Sequence, residues 1–217
     1  MHNSNAYFAM PEVVVFDVFG TLLRIGDRKH PFLKLMKLAR NMGRRPTPDD
    51  ARILMCEDLG LAAAAQRFEV EVTLSQLAEL EHDLLCELGS IKLYPDSLPA
   101  IRILQDAGIS VAVCSNLAAP YALPVMLLLP HLDAYSWSFR VGAVKPERAI
   151  YEQVSLQLNC PLSSMVMIGD TLEADCLGPR RFGMRGFHLN RSGRADVDTF
   201  ADLTSFSQFL LKLHRRT

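Results

Sequence analysis

A carboxylate at the end of a buried strand is costly unless something compensates its charge. In this sequence four polar features are expected at strand ends, in order: Asp17-x-x-Gly20-Thr21, Ser115-Asn116, Lys145-Pro146, and Gly169-Asp170 with Asp175 five residues further on. The candidate compensators are Lys145 and a divalent cation held jointly by Asp17 and Asp170. Mg²⁺ suits such a pair, because it takes few protein carboxylates and keeps water or substrate oxygens as its other ligands. Asp17 can then attack an electrophile and form a covalent intermediate. Ser115 and the turn amides after Asp17 would hold the transferred group. Lys145 would neutralise charge on nucleophile and substrate. Thr21 and Asn116 are as well suited to bracing loops as to touching substrate, and Asp175 to orienting a helix as to binding metal.

The elements that must position these residues can be read from hydrophobic pattern. Val13-Val14-Val15-Phe16 is a continuous, β-branched run, as in a strand buried on both faces. Runs from Ile109 to Cys114, Ser164 to Ile168 and Gly186 to Leu189 behave in the same way. Helical patterns fall between them, at Pro99–Ala107, Pro146–Leu158 and Glu173–Phe182. Strands alternating with helices predict an α/β fold, a Rossmann-like parallel sheet with helices on both faces. In such sheets ligands bind beyond the carboxyl ends of the strands, where the polar residues lie.

From Gly26 to Ser90 the alternation stops and only helices are indicated. Pro31 to Asn41 is amphipathic, with Phe32, Leu35, Met36 and Ala39 on one face. Thr47-Pro48-Asp49-Asp50 reads as a helix start capped by Thr47, and Thr73 with Gln76 as a capping box. The division expected is a core of 11–25 and 91–217, a helical insertion of 26–90 after the first strand, and a flexible N-terminus of 1–10. Arg24, Arg28, Lys29 and His30 lie where the chain climbs from the first strand into the insertion.

The chain has 217 residues, 49% of them hydrophobic, and a formal charge of -1, which excludes the broad basic footprint of a nucleic-acid binder. No stretch approaches the roughly 20 apolar residues of a membrane span. Five cysteines form no C-x-x-C pair. That odd count argues against a disulfide framework or zinc site and for a reducing cytoplasm. Met1 to Met10 carries no secretory pattern, so a cytoplasmic protein acting on a small molecule is expected, without nucleic-acid or membrane partners. A homodimer through the helical insertion is the candidate assembly.

Taken together, the four motifs resemble those of the haloacid dehalogenase-like (HAD) superfamily over nearly the whole chain. Phe16-Asp17-Val18-Phe19-Gly20-Thr21-Leu22 is similar to its first motif, with Asp17 as nucleophile. Val113-Cys114-Ser115-Asn116 resembles the second, and Gly142-Ala143-Val144-Lys145-Pro146 the third. Ile168-Gly169-Asp170-Thr171-Leu172-Glu173-Ala174-Asp175 resembles the acidic metal motif. The resemblance implies Asp17, Ser115 and Lys145 as catalytic residues. Substrate would meet Phe19, Gly20, Thr21, Ser115, Asn116 and Lys145, and Mg²⁺ would lie at Asp17, Phe19, Asp170 and Asp175. The 97 residues between Asp17 and Ser115 (18–114) leave room for a C1-type helical cap. The 29 between Ser115 and Lys145 (116–144) do not accommodate the alternative cap.

Two features of that pattern pull the chemistry apart. Phosphatases of the superfamily usually carry a second Asp, the general acid, where this chain has Phe19. Phe cannot transfer a proton, and losing that group costs roughly 10²–10⁴ in rate on a poor leaving group, or about 3–5 kcal/mol of barrier. A bulky aromatic there resembles the metal-free 2-haloacid dehalogenases. Asp170 and Asp175 instead resemble the metal-dependent form. The favoured reading is Mg²⁺-dependent hydrolysis of a small soluble phosphoryl compound with a good leaving group, through an aspartyl intermediate. Metal-free dehalogenation and a non-catalytic binding protein on the same fold are the alternatives.

Overall fold

The computed structural model describes residues 10–193 and 198–214. The terminal residues 1–9 and 215–217 lie outside it, so most of the N-terminus expected to be flexible falls beyond the described chain. β1 (Val13–Phe16) is buried along its whole length, as its unbroken apolar sequence requires. It sits inside a six-stranded parallel sheet with β4 (Ser110–Ser115) on one side and β6 (Met165–Gly169) on the other. β5 (Ala134–Trp137) lies beyond β4, and β7 (Arg185–Leu189) and β8 (Thr199–Phe200) lie beyond β6.

Strand pleating sends alternate residues to opposite faces. Val14 and Phe16 pack with α5 (Ser97–Asp106), α6 (Ala122–Leu128) and α10 (Leu203–His214). Val13 and Val15 pack with α8 (Arg148–Leu158), against Ile150, Tyr151 and Val154. Register then sets the site: Phe16 lies level with Val113 and Ile168, so Asp17 emerges between the ends of β4 and β6.

Residues 26–90 hold four helices with a core of their own: α1 (Pro31–Asn41), α2 (Asp50–Cys56), α3 (Leu61–Arg67) and α4 (Leu74–Gly89). Leu35 and Ala39 of α1 are buried, with Phe32 and Met36 packed against that core. Thr73 and Gln76 form both bonds of the capping box. Some expectations shift. The stem is a short antiparallel ladder, β2 (Leu23–Ile25) with β3 (Ile91–Leu93), which three-residue strands reveal poorly in sequence. β5 and β8 are also too short to stand out. α2 begins at Asp50, and Thr47 does not cap it. Instead the Thr47 amide and hydroxyl donate to the Asp50 carboxylate, at 3.0 and 2.6 Å.

The segment expected as one helix over 173–182 is a π-helical turn at Leu172–Leu177 followed by the short α9 (Gly178–Arg180). The wider turn places Asp175 wholly inside the protein. Lys145 does not follow a strand. It lies in the loop between α7 (Ser138–Val141) and α8, because β5 already ends at Trp137.

Within the insertion, Arg44 grips buried Asp50 through two bonds of 2.7 Å. That guanidinium, with the Thr47 donors, holds the Asp50 carboxyl well below the usual carboxylate range. A depressed folded-state value means stabilisation that is present above the ordinary value of 3.8 and disappears on acidification below it. Asp50→Asn is expected to cost about 2 kcal/mol at pH 7. Thermal melting of parent and variant checks this, and the gap between them should shrink below pH 3.8, where Asp50 of the unfolded parent chain takes up a proton while the folded carboxylate resists it.

Candidate active site

The sheet's carboxyl edge opens into a cavity of about 320 Å³ lined by Asp17, Phe19, Ser115, Asn116, Lys145 and Asp170, among others. Lys145 organises it. Its ammonium donates to Asp17 Oδ1 and to Asp175 Oδ1, each at 2.7 Å. The side chains are 3% exposed for Lys145, 10% for Asp17 and 0% for Asp175. Burial alone would lower the Lys145 pKa, but the charges of Asp17 and Asp175 outweigh it and hold the lysine above its usual range. Ser115 adds its hydroxyl to Asp17 Oδ1 at 3.1 Å. Both contacts use one oxygen, which leaves Asp17 Oδ2 to the cavity.

Asp175 is fully engaged. Its second oxygen accepts the Thr171 amide at 3.0 Å, so its carboxylate ties Lys145 to the π-helical turn. Burial and the neighbouring Asp17 raise its pKa, against the pull of Lys145. Asp170 differs. Its side chain has the Thr171 hydroxyl at 3.5 Å and no salt bridge among the described residues. Burial, then the charge of Asp17, push its carboxyl up. One oxygen from each of Asp17, Asp170 and Asp175 can be chosen so that all lie within 4.8 Å of one another. This all-oxygen set, with an uncompensated Asp170, fits a hard cation such as Mg²⁺. At Phe19 only the backbone carbonyl could contribute, since the ring has no donor atom.

Two glycines make this crowding feasible. Gly20 has φ +91°, and a Cβ there would stand 2.0 Å from Asp170 Oδ2. At Gly169 a Cβ would come within 2.2 Å of Asp175 Oδ2 and 2.7 Å of the Asp17 Cβ.

Several residues expected to meet substrate are used otherwise. Thr21 is fully buried, and its hydroxyl accepts the Asp170 amide at 3.1 Å, so it braces the loop and does not face the cavity. The Gly20 and Thr21 amides are spent inside the loop, on Leu23 O and Val18 O. Among the described residues the Val18 and Phe19 amides donate no hydrogen bond, which leaves them as turn donors with capacity for an anion. Asn116 lines the cavity but commits its amide to the Lys145 backbone in both directions, at 2.7 and 3.0 Å.

Arg191 is a positioning residue that sequence reasoning passed over. It donates to Thr21 O at 2.7 Å and to Asp96 at 2.9 and 3.1 Å, with its guanidinium 4.0 Å from the Tyr94 ring centroid. Its one sequence signal was its place just after the β7 apolar run.

The sequence model of a family described as haloacid dehalogenase-like hydrolase matches residues 11–183. A ribulose-1,5-bisphosphate 5-phosphatase of Halopiger xanaduensis is 28% identical over 118 residues, which is 53% of this chain and 49% of that protein. The chain thus spans about half the length of the curated relatives it matches. Among solved structures, a HAD phosphatase from Thermococcus onnurineus superposes with TM-score 0.63 at 22% identity, covering 92% of this chain and 97% of that one. A 2-haloacid dehalogenase from Pseudomonas syringae pv. Tomato DC3000 gives 0.64 at 18%, covering 94% and 99%. At such identities these two likenesses establish the fold and do not separate the chemistries.

Gly20→Ala tests the close approach of the nucleophile loop to Asp170. It is expected to cost about 2 kcal/mol or more, lowering Tm by roughly 4–8 °C. Gly43→Ala is the control, since Gly43 has φ +93° but nothing within 4 Å of the added Cβ. Equal losses in the two variants would show that the Asp170 contact contributes nothing.

Proposed function

The chain belongs to the haloacid dehalogenase-like hydrolase family, and we propose that it is a Mg²⁺-dependent phosphoryl hydrolase with Asp17 as nucleophile. The observation that carries this reading is Asp170, a carboxylate exposed at the cavity beside Asp17, with no salt bridge to a cationic side chain among the described residues. Lys145 is already shared by Asp17 and Asp175. A site built only for halide displacement has no use for this additional uncompensated charge.

Asp17, Asp170 and the Phe19 backbone carbonyl would hold the ion, which would supply positive charge to offset the negative charge of the phosphoryl group. Lys145 and Ser115 fix Asp17 Oδ1 and so aim Oδ2 into the cavity. Oδ2 attacks phosphorus, and the bond from phosphorus to the leaving oxygen breaks with its electron pair going to that oxygen. Ser115 and the Val18 and Phe19 amides are placed to hold the phosphoryl oxygens. Water then attacks the aspartyl phosphate, releasing inorganic phosphate and restoring Asp17. Nothing on Phe19 can protonate the departing oxygen, so substrates with stable leaving anions, such as acyl phosphates, are favoured.

Phe19 is also the observation that favours metal-free dehalogenation as a second reading, since a departing halide needs no proton. Turnover of acetyl phosphate should stop with chelator and return with Mg²⁺. Asp17→Asn should lower it at least ~10⁴-fold with an unchanged circular dichroism spectrum. Chelator-insensitive release of halide from a 2-haloacid, with no phosphate release from acetyl phosphate, would replace the phosphoryl reading with the second. Phe19→Asp should raise alkyl phosphate hydrolysis, by up to roughly 10²-fold, by restoring a group able to transfer a proton.

A further inference from the structure

A second cavity, of about 330 Å³, adjoins the first, and Phe19 and Asn116 line both. Its walls come from the sheet edge and from the insertion, with Phe19, Leu117 and Tyr121 on one side and Phe32 and Met55 on the other. Phe19 and Tyr121 meet edge to face, with centroids 5.9 Å apart and planes at 86°. The buried carboxylate in this wall, Glu87, is already satisfied. Its oxygens accept the Lys29 and His30 amides at 2.6 and 2.7 Å and the Tyr121 hydroxyl at 2.9 Å. Arg28 also lines the cavity, is exposed, and makes no ion pair among the described residues.

We propose that this chamber receives the organic half of the substrate, and that this half is an aromatic ring bearing a carboxylate that Arg28 binds. The inference rests on the phosphoryl-transfer reading and narrows it to carboxylated aromatic acyl or aryl phosphates. Three observations converge on that class. An apolar cavity of roughly 150 Å³ can hold benzene, so a chamber of about 330 Å³ has room for a substituted ring. A polyol would strand hydroxyls against Phe19, Phe32 and Met55, and unpaired polar groups are strongly penalised. Arg28 is the cation left over, and guanidinium binds carboxylate through paired hydrogen bonds.

The chamber also agrees with the chemistry next door. A benzoate leaves with the electron pair of the broken phosphorus–oxygen bond and stays ionised near neutral pH, whereas a phenolate leaves in the same way and takes up a proton from solvent afterwards. It asks nothing of position 19. Phe19 can therefore serve as ring contact where an acid would otherwise be needed.

Acetyl, benzoyl and 4-carboxybenzoyl phosphate test this, because they share the acyl phosphate linkage that is broken and differ mainly in the departing carboxylate that the chamber must hold. With Mg²⁺ present, kcat/KM should rise roughly tenfold or more from acetyl to benzoyl phosphate. It should rise roughly tenfold again for the carboxylated compound. Arg28→Gln should bring the ratio of carboxybenzoyl to benzoyl phosphate close to one, and Arg28→Lys should recover part of it. Turnover of acetyl phosphate at least as efficient as that of benzoyl phosphate would overturn the aromatic class while leaving the phosphoryl reading intact. A carboxylate advantage unaltered in Arg28→Gln would overturn the role of Arg28. Absence of hydrolysis for all three would defeat the phosphoryl reading and the substrate class with it.

Discussion

A single buried ammonium holds the candidate site together. Lys145 bridges Asp17 from the end of β1 and Asp175 from the π-helical turn after β6, 2.7 Å from each. An ion cluster this deep survives only when every member is paired, since removing one partner leaves an uncompensated charge in a low-dielectric interior. Much of the surrounding structure serves that condition. Asn116 clamps the backbone of Lys145, the Thr171 amide takes the free oxygen of Asp175, and Ser115 shares Asp17. Asp170 stands outside the lysine's pairing, and the affinity for a divalent cation is inferred from that remainder.

The parallel sheet makes the cluster possible. Residues far apart in sequence meet because β1 is paired on both sides in a register that brings three strand ends level. The loop after β1 then has to turn tightly under Asp170, which requires a positive φ and no side chain at Gly20. Thr21 secures the arrangement by accepting the Asp170 amide, while Arg191 holds the Thr21 carbonyl from the loop after β7. The loop is thus pinned by the segments just beyond two later strands, and these fixings preorganise Asp17 without contacting it.

Phe19 joins the two cavities. Its ring belongs to the walls of both cavities and rests edge to face on Tyr121, whose hydroxyl joins the Glu87 carboxylate of α4. Glu87 in turn holds the amides of Lys29 and His30, where the chain enters the insertion. Under the proposed reading, the aromatic side chain at this position offers the reaction no proton and offers the organic part of a substrate an apolar surface.

The sequence by itself determined the α/β class and where the principal strands fall along the chain. It also placed Asp17, Ser115 and Asp170 at sheet ends, because buried parallel strands require unbroken apolar runs and the polar residues that interrupt them are conspicuous. Long amphipathic helices such as α1 were legible for the same reason of period. The two- to four-residue strands β2, β3, β5 and β8 were not, since so few residues carry little pattern. Only the tertiary structure decided how the polar groups share one another. Whether Thr21 faces substrate or the Asp170 amide, and whether Asp175 serves a cation or Lys145, depends on hydrogen bonds between segments distant in sequence. Residue type fixes what a side chain can donate or accept, but burial and proximity select its partner, and both arise only when the chain has folded.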